Sequence, residues 1–199
     1  MKSVLKFALN FGIIAAIIGL ALAVVFQITD PIIKLQDAKA LQEGLQNVFN
    51  GNYEFPELEK PIQSLDPSVQ ILKTFLVRDK NSNSIEGGVL TVVVAGSQAP
   101  IKMLVGVKKD GTISGISILA MQETAGLGAN ADNPSYYVNK KNKITFLGQF
   151  KGKNVEKDKL IPKEDIIAIT GATITSKAIS TGSKVAGESF LQYLKEAHQ

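Results

Sequence analysis

The sequence predicts an α+β protein, in which one apolar N-terminal helix precedes a domain with an antiparallel sheet and flanking helices. Helical patterns at both ends of the chain enclose a series of apolar, β-type segments. The 199 residues are 45% hydrophobic and 20% charged, a composition typical of a folded chain. We expect three parts: a cytoplasmic N-terminus with a membrane helix (1–29), a helix with a proline-containing connector (30–68), and one folded domain (69–199).

The residue counts exclude several kinds of functional site. The sequence has no cysteine, which excludes disulfides, iron–sulfur clusters and thiol nucleophiles. Its one histidine is His198, so a Ser-His-Asp triad or a multi-histidine metal site lacks the necessary residues. The net charge is +4, but the lysines are dispersed and only 7% of residues are aromatic, which argues against nucleic acid as a partner. We therefore expect no metal site, and we expect the chemistry of the protein to depend on a non-metal cofactor.

The N-terminal segment is long and apolar enough to cross a membrane. Residues 7–29 contain no charged side chain and would span about 35 Å as a helix. A cleaved signal peptide is the alternative, because Ala21-Leu22-Ala23 resembles a cleavage site. The apolar run continues through Phe26, beyond the usual length of a signal sequence, and therefore favours a retained single-pass anchor.

The charged residues beside this segment predict its orientation. Lys2 and Lys6 precede the segment, and Asp30 is the first charged residue after it. Positive residues flanking a membrane helix tend to remain on the cytoplasmic side. We therefore expect a cell-membrane protein with a cytoplasmic N-terminus and an extracytoplasmic domain.

A second helix and a connector are predicted after the membrane segment. Asp30 and Pro31 are typical of a helix N-cap and of the first helical position. Apolar residues then recur at helical spacing as far as Asn50-Gly51, where the helix is predicted to end. Three prolines between residues 53 and 67 predict an irregular connector.

The rest of the chain predicts a meander of strands and a closing helix. The sequence Lys109-Asp110-Gly111 is typical of a hairpin turn. The polar residues 122–163 predict a loop, and apolar residues at helical spacing predict a helix over 177–197. Segments rich in β-branched residues predict strands at 69–78, 88–96, 101–109, 112–121 and 165–170.

Two further segments have small and polar residues in patterns that suit a ligand. Residues 170–176 (TGATITS) precede the closing helix, where small side chains allow close approach and free N–H groups can bind an anion. An ordinary Ser/Thr helix cap would explain the same residues. Residues 123–128 (ETAGLG) follow the hairpin, and a glycine-rich surface turn would explain them equally well. Neither segment alone indicates a function.

Together with residues 146–153 (FLGQFKGK), these segments resemble the FMN-binding domain of the Rnf complex G subunit and of the NqrC subunit of sodium-pumping quinone reductase. In that family ETPGLG is followed by [ST]GAT, whose threonine carries FMN through a phosphoester bond. The resemblance covers residues 85–195, and the membrane anchor has the position that it has in those subunits. It implies that residues 69–199 form an FMN-binding domain with covalently bound FMN.

The resemblance also implies a role for each matching residue. Thr173 is expected to carry the phosphoester. The residues expected to surround the phosphate and ribityl chain are Thr170, Gly171, Ala172, Thr175 and Ser176. The residues expected to line the isoalloxazine are Glu123, Thr124, Gly126, Leu127 and Gly128. Thr175 has nearly the same position relative to the predicted helix as Thr173, so the residues alone favour Thr173 only slightly, and the resemblance decides for it.

Two positions depart from the family pattern. Ala125 replaces the usual proline, and Ile167 replaces the aspartate that usually lies three residues before the [ST]GAT motif. Asp165 lies two residues before Ile167 and would share its face on the predicted strand. The replacement of the aspartate concerns recognition by the flavin-attaching enzyme, rather than the flavin pocket itself.

The function implied by the resemblance is electron transfer within a membrane complex. The chain would be the flavin subunit of an ion-translocating ferredoxin:NAD oxidoreductase, with other membrane and peripheral subunits and a flavin transferase as partners. An NqrC-like subunit is the alternative within the same class, although such chains are longer between the anchor and the flavin domain. A non-redox anchored extracytoplasmic module is the alternative from another class, and it would lack visible flavin absorption.

Overall fold

The computed structural model describes residues 2–197, so His198 lies outside the described residues. The chain divides into two units, one ending at Leu41 and the other beginning at Gln42. Helix α1 (Lys2–Val48) supplies the first unit and contributes its last turns to the second. All strands and helix α2 (Thr173–Ala197) belong to the second unit.

Within the first unit, helix α1 is strongly apolar. Its most apolar 18-residue window has a mean hydropathy of 2.6, which is enough, by length and composition, to cross a membrane. The large apolar side chains between Phe7 and Leu35 are exposed, so they form no part of a protein core. These properties support membrane anchoring, as the sequence predicts.

Helix α1 continues through Asp30 and Pro31, so the predicted start of a separate helix at Asp30 is wrong. Asp30 forms a salt bridge of 2.7 Å with Lys34, one turn later, instead of capping a new helix. A proline inside a helix removes one hydrogen bond. Close to this proline, the Thr29 hydroxyl donates to the carbonyl of Val25, four residues before it. The predicted end near Asn50 is confirmed, because the helix ends at Val48.

The second unit is built on a five-stranded antiparallel sheet whose strand order follows the chain. The strands are β1 (Tyr53–Glu54), β2 (Val69–Asp79), β3 (Ile85–Ala95), β4 (Pro100–Lys108) and β5 (Ile113–Ala120). The four long strands confirm the predicted meander and the α+β class, and Lys109-Asp110-Gly111 lies in the turn between β4 and β5. The predicted polar loop adds a small pair of strands, β6 (Tyr137–Asn139) and β7 (Ile144–Thr145), and two short 3₁₀ turns, Gly128–Asp132 and Leu147–Gln149.

The sheet is covered on both faces, which explains why its strands are apolar on both sides. Helix α2 packs Ile179, Ala186 and Phe190 against one face, and all three side chains are buried. The last residues of α1 and the residue after it cover the other face, where a Cβ at Gly106 would lie 2.1 Å from Val48. This two-sided burial fixes the sheet, and with it the loops at its ends.

Replacing Gly88 with alanine should destabilise this core. A Cβ at Gly88 would lie 2.3 Å from a ring carbon of Phe190, which is itself fully buried. We expect the free energy of unfolding to fall by about 1–3 kcal/mol, because the ring has no free space to enter. Urea unfolding of the full chain in detergent, followed by far-UV circular dichroism, measures this change.

The matched control is Phe190→Leu, alone and combined with Gly88→Ala. The smaller side chain creates room, so the two substitutions together should cost less than the sum of their separate costs. Strictly additive costs would show that the alanine does not contact the ring.

Residues 165–170 do not form the predicted strand, and α2 begins four residues earlier than the predicted 177. The side chain of Gln149 takes the place of a strand partner: its Oε1 accepts from Ile167 N (2.8 Å) and its Nε2 donates to Ile167 O (3.0 Å). The hydroxyl of Ser176 accepts from Ile169 N (3.0 Å), which turns the chain directly into the helix. Thr173 is consequently the first residue of α2.

Candidate functional site

The two motifs meet at one cavity of about 310 Å³, although they are some fifty residues apart in the sequence. The 123–128 segment follows β5, and the 171–175 segment forms the entry to α2. Packing of α2 on the sheet brings them together. The residues lining the cavity are Ser97, Glu123, Thr124, Leu127, Gly128, Gly171, Ala172, Thr173, Ile174 and Thr175.

Two glycines give the motifs their shape. Gly126 and Gly171 have φ angles of +77° and +75°, in the left-handed region that favours glycine. A Cβ at Gly171 would lie 2.9 Å from Leu127 Cδ2, so this glycine also allows the two motifs to approach each other. Gly126 faces open space and is outside the cavity lining, but its carbonyl accepts from the Asn130 side chain (2.8 Å) and so closes the loop.

Thr173 is exposed and lines the cavity from the start of α2. The amides of Thr173, Ile174 and Thr175 have no hydrogen-bond acceptor within residues 2–197. Unpaired amides at a helix start attract an anion, and the neighbouring Gly171 and Ala172 occupy little space. The arrangement therefore fits a phosphate attached to the Thr173 hydroxyl.

The other hydroxyls of the motif have different surroundings. Thr175 is fully buried, and its Oγ1 donates to Glu123 Oε2 (2.8 Å). Ser176 is also buried and lies outside the cavity lining; besides accepting from Ile169, it donates to the carbonyl of Ala172 (2.8 Å). Thr170 is exposed but lines a neighbouring cavity. The structure thus separates Thr173 from Thr175, which the sequence could not do without the family resemblance.

Glu123 lines the cavity, but its carboxylate is already bonded. Oε1 accepts from the amides of Ser97 (2.7 Å) and Gln98 (3.2 Å), and Oε2 accepts from the Thr175 hydroxyl. Sequence reasoning missed Ser97, which lies in the turn between β3 and β4 and carries no motif signal. It also missed Ile174, although this residue stands inside TGATITS; its side chain is 62% exposed beside Thr173.

The neighbouring cavity has a volume of about 500 Å³ and is lined by residues between 163 and 173. Asp165 is one of these residues, and its position differs from the predicted one. No strand is present to align Asp165 with Ile167. The Asp165 carboxylate accepts from the amides of Leu160 (2.9 Å) and Ile161 (2.7 Å), and Ile167 is exposed. Asp165 therefore closes its own loop, and it does not replace the aspartate that Ile167 lacks.

The pKa of Asp165 lies below its ordinary value of 3.8. Partial burial raises this pKa, but the amide bonds from Leu160 and Ile161, together with the nearby Lys153 ammonium, lower it by more. A carboxylate with a lowered pKa stabilises the folded state above its unfolded pKa, and this contribution is lost as the pH falls through the folded pKa.

Asp165→Asn should therefore destabilise the fold at neutral pH and have less effect in acid. We expect the free energy of unfolding to fall by about 1–2 kcal/mol at neutral pH. An asparagine side chain is uncharged and has only one acceptor oxygen, so it cannot replace the carboxylate in both bonds to the backbone amides. The difference from the wild type should shrink as the pH falls below 3.8 and through the lower pKa of the folded state, where the carboxylate of Asp165 becomes protonated. Urea unfolding of both proteins across this pH range tests the expectation.

Glu164→Gln is the matched control. Glu164 is paired with Lys159 at 2.8 Å, but both side chains are largely exposed, so their pairing contributes little. A Glu164 variant that loses as much stability as the Asp165 variant would contradict the importance of the backbone amide bonds to Asp165.

This chain resembles known proteins over most of its length. Residues 96–188 match the FMN-binding domain family, and this range includes every lining residue of the cavity. The chain is 31% identical over 192 residues to the G subunit of the proton-translocating ferredoxin:NAD(+) oxidoreductase complex of Clostridium ljungdahlii, with 94% of this chain and 91% of the relative covered. The chain belongs to this family of G subunits.

Other members of the G-subunit family match over most of their length. The G subunit of the Na(+)-translocating ferredoxin:NAD(+) oxidoreductase complex of Acetobacterium woodii is 27% identical, with 91% of this chain and 88% of the relative covered. The G subunit of the ion-translocating oxidoreductase complex of Shewanella piezotolerans is 30% identical, with 93% and 88% covered. Among solved structures, Shewanella oneidensis NqrC has a TM-score of 0.49 at 17% identity, with 76% of this chain and 88% of that chain covered.

Proposed function

We propose that this protein is the membrane-anchored flavin subunit of an Rnf-type, ion-translocating ferredoxin:NAD oxidoreductase. The observation that carries the proposal is the single cavity formed by residues 123–128 and 171–175, with an exposed threonine at its edge. Its fit to a phosphate-bearing cofactor agrees with membership in the G-subunit family and with the FMN-binding domain match.

FMN would be held through a phosphoester on Thr173. The unpaired amides at the start of α2 would bind the phosphate oxygens, while Gly171 and Ala172 leave room beside them. Thr124, Leu127 and Gly128 would lie beside the isoalloxazine, because they are, besides Glu123, the residues of the 123–128 segment that line the same cavity as Thr173. The remaining predicted residues would support this site without contacting the flavin. Three of them lie outside the cavity lining, namely Gly126, Thr170 and Ser176. The side chains of Glu123 and Thr175 are bonded to each other.

The bound flavin would supply the redox chemistry by accepting and releasing electrons. The residues of the chain would keep the cofactor in place, and the polarity of the cavity wall would set its reduction potential. In this role no side chain acts as an acid, base or nucleophile toward a soluble substrate.

The position in the membrane follows from the flanking charges. Lys6 precedes the apolar segment and Asp30 follows it, so the second unit would lie outside the cytoplasm. Other membrane and peripheral subunits of the complex would exchange electrons with the flavin, and a flavin transferase would attach it. A phosphoester bond suits an extracytoplasmic site, because a dissociated cofactor would be lost to dilution there.

Affinity purification from the native membrane tests this function. The purified protein should show visible flavin absorption that remains after denaturation, and mass spectrometry should identify further subunits of a redox complex in the same sample. A colourless protein that purifies without other redox subunits would contradict the proposal. Protease added outside intact spheroplasts should digest the second unit, and protection until lysis would contradict the orientation.

A further inference from the structure

We infer that Glu123 is a positioning residue, whose carboxylate holds the first turn of α2 through Thr175 and so presents Thr173 to the cavity. The inference rests on the proposed function, because it assigns Glu123 to the site where flavin would be attached. It gives this carboxylate a role different from direct contact with the isoalloxazine.

The carboxylate of Glu123 joins its own segment to two other parts of the chain. Its Oε1 accepts from the amides of Ser97 and Gln98 at 2.7 and 3.2 Å, in the turn after β3. Its Oε2 accepts from the Thr175 hydroxyl at 2.8 Å, in the first turn of α2. Each oxygen thus has at least one protein donor, so the carboxylate needs no ligand to satisfy it.

Two glycines lie close to this carboxylate, one beside each of its oxygens. A Cβ at Gly96 would lie 2.4 Å from Glu123 Oε1. A Cβ at Gly128 would lie 2.5 Å from Glu123 Oε2 and 2.7 Å from Thr175 Oγ1. Real Cβ atoms do not approach other atoms so closely, so glycine at both positions leaves room for the carboxylate and its bond to Thr175.

The orientation of Thr173 depends on that of Thr175. Two residues along a helix are rotated by about 200°, so their side chains point to nearly opposite sides. Thr175 is fully buried against Glu123, and Thr173 is exposed. A bond that keeps Thr175 inward therefore keeps Thr173 outward.

Large apolar side chains do not anchor this first turn. Ile174 is 62% exposed, and the first large apolar residue of α2 in the core is Ile179, more than a full turn further along. The polar bonds of Thr175 and Ser176 consequently have a large share in fixing the start of the helix.

The test compares hydroxyl and carboxylate variants in the full chain, together with a flavin transferase and its flavin donor. Thr175→Val removes the hydroxyl, whereas Thr175→Ser retains it. Glu123→Ala removes the acceptor, whereas Glu123→Gln can still accept from Ser97 and Gln98 and can donate its amide hydrogens to Thr175. Mass spectrometry measures the initial rate of flavin attachment, well below the melting temperature of each variant.

We expect Thr175→Val and Glu123→Ala to lower the attachment rate by roughly tenfold to a hundredfold, since small errors in placement have effects of this size. Thr175→Ser and Glu123→Gln should stay within a few-fold of the wild type, a rescue that loss of packing alone would not give. The double variant Glu123→Ala/Thr175→Val should be no slower than Glu123→Ala alone, because the loss of the Glu123 carboxylate already removes the bond to Thr175.

Two results would overturn the inference. One is an unchanged attachment rate in folded Thr175→Val. The other is a shifted flavin absorption spectrum in loaded Glu123→Gln, because direct contact with the flavin predicts such a shift and positioning through Thr175 does not. The spectrum decides the question even if Thr175→Val does not fold. A wild-type chain that gains no flavin at Thr173 would instead refute the proposed function.

Discussion

Thr173→Ala should abolish flavin attachment. Expressed with a flavin transferase, the wild-type chain should gain the mass of one FMN minus one water, and the variant should gain nothing. The physical reason is that Thr173 is exposed and lines the cavity, whereas Thr175 is buried and its hydroxyl donates to Glu123. Intact-protein mass spectrometry measures the difference.

Thr173→Ser is the matched control, because it keeps a hydroxyl at the same place and should still be modified. Peptide fragmentation of the wild-type protein should locate the added mass on Thr173. An FMN found on Thr170 or Thr175, or a flavin-loaded Thr173→Ala chain, would show that the assignment is wrong.

Gly128→Ala should cause the second large effect, on both stability and flavin attachment. Its Cβ would collide with the Glu123 carboxylate and the Thr175 hydroxyl. We expect the free energy of unfolding to fall by about 1–3 kcal/mol, since neither partner can move without breaking their bond. Flavin attachment should fall as well, because the first turn of α2 would be displaced. Urea unfolding and mass spectrometry of the same preparations measure the two effects.

Gly126→Ala separates this steric effect from backbone strain. Gly126 has a left-handed φ of +77° but open space where its Cβ would be. Its substitution should destabilise the loop by about 1–2 kcal/mol through backbone strain, without displacing Glu123. Equal loss of flavin attachment in the two variants would contradict the importance of the Glu123–Thr175 bond.

The sequence predicts those features of the fold that arise from local patterns. The apolar segment over 7–29 and the β-branched runs of the four long strands have regular spacing that tertiary contacts do not alter. Residues 165–170 have a similar β-type composition, but their partner is the side chain of Gln149, which no local pattern reveals. Pro31 likewise has the features of a helix start, although the helix on both sides of it is continuous.

In the candidate site, too, local patterns predict some features and tertiary contacts determine the others. The motifs at 123–128 and 170–176 can be found in the sequence, and their resemblance to a known family indicates that they act together. The bonds that join them, from Ser97 and Thr175 to Glu123, depend on how α2 packs against the ends of the strands. The sequence predicts a helix only from 177, so Thr173 and Thr175 are nearly equivalent at that level. In the structure both belong to α2, and of the two only Thr173 is exposed.

The order of the site's segments along the chain has a consequence for biogenesis. Strands β2 to β5 pair with neighbours in sequence and can form as a nascent chain emerges, whereas α2 is synthesised after all of them. Until α2 docks, Thr173 does not share a cavity with the 123–128 segment, and Thr175 lacks its bond to Glu123. A transferase that requires this geometry would modify only chains that have completed folding, so the flavin would mark mature molecules and leave truncated ones unlabelled.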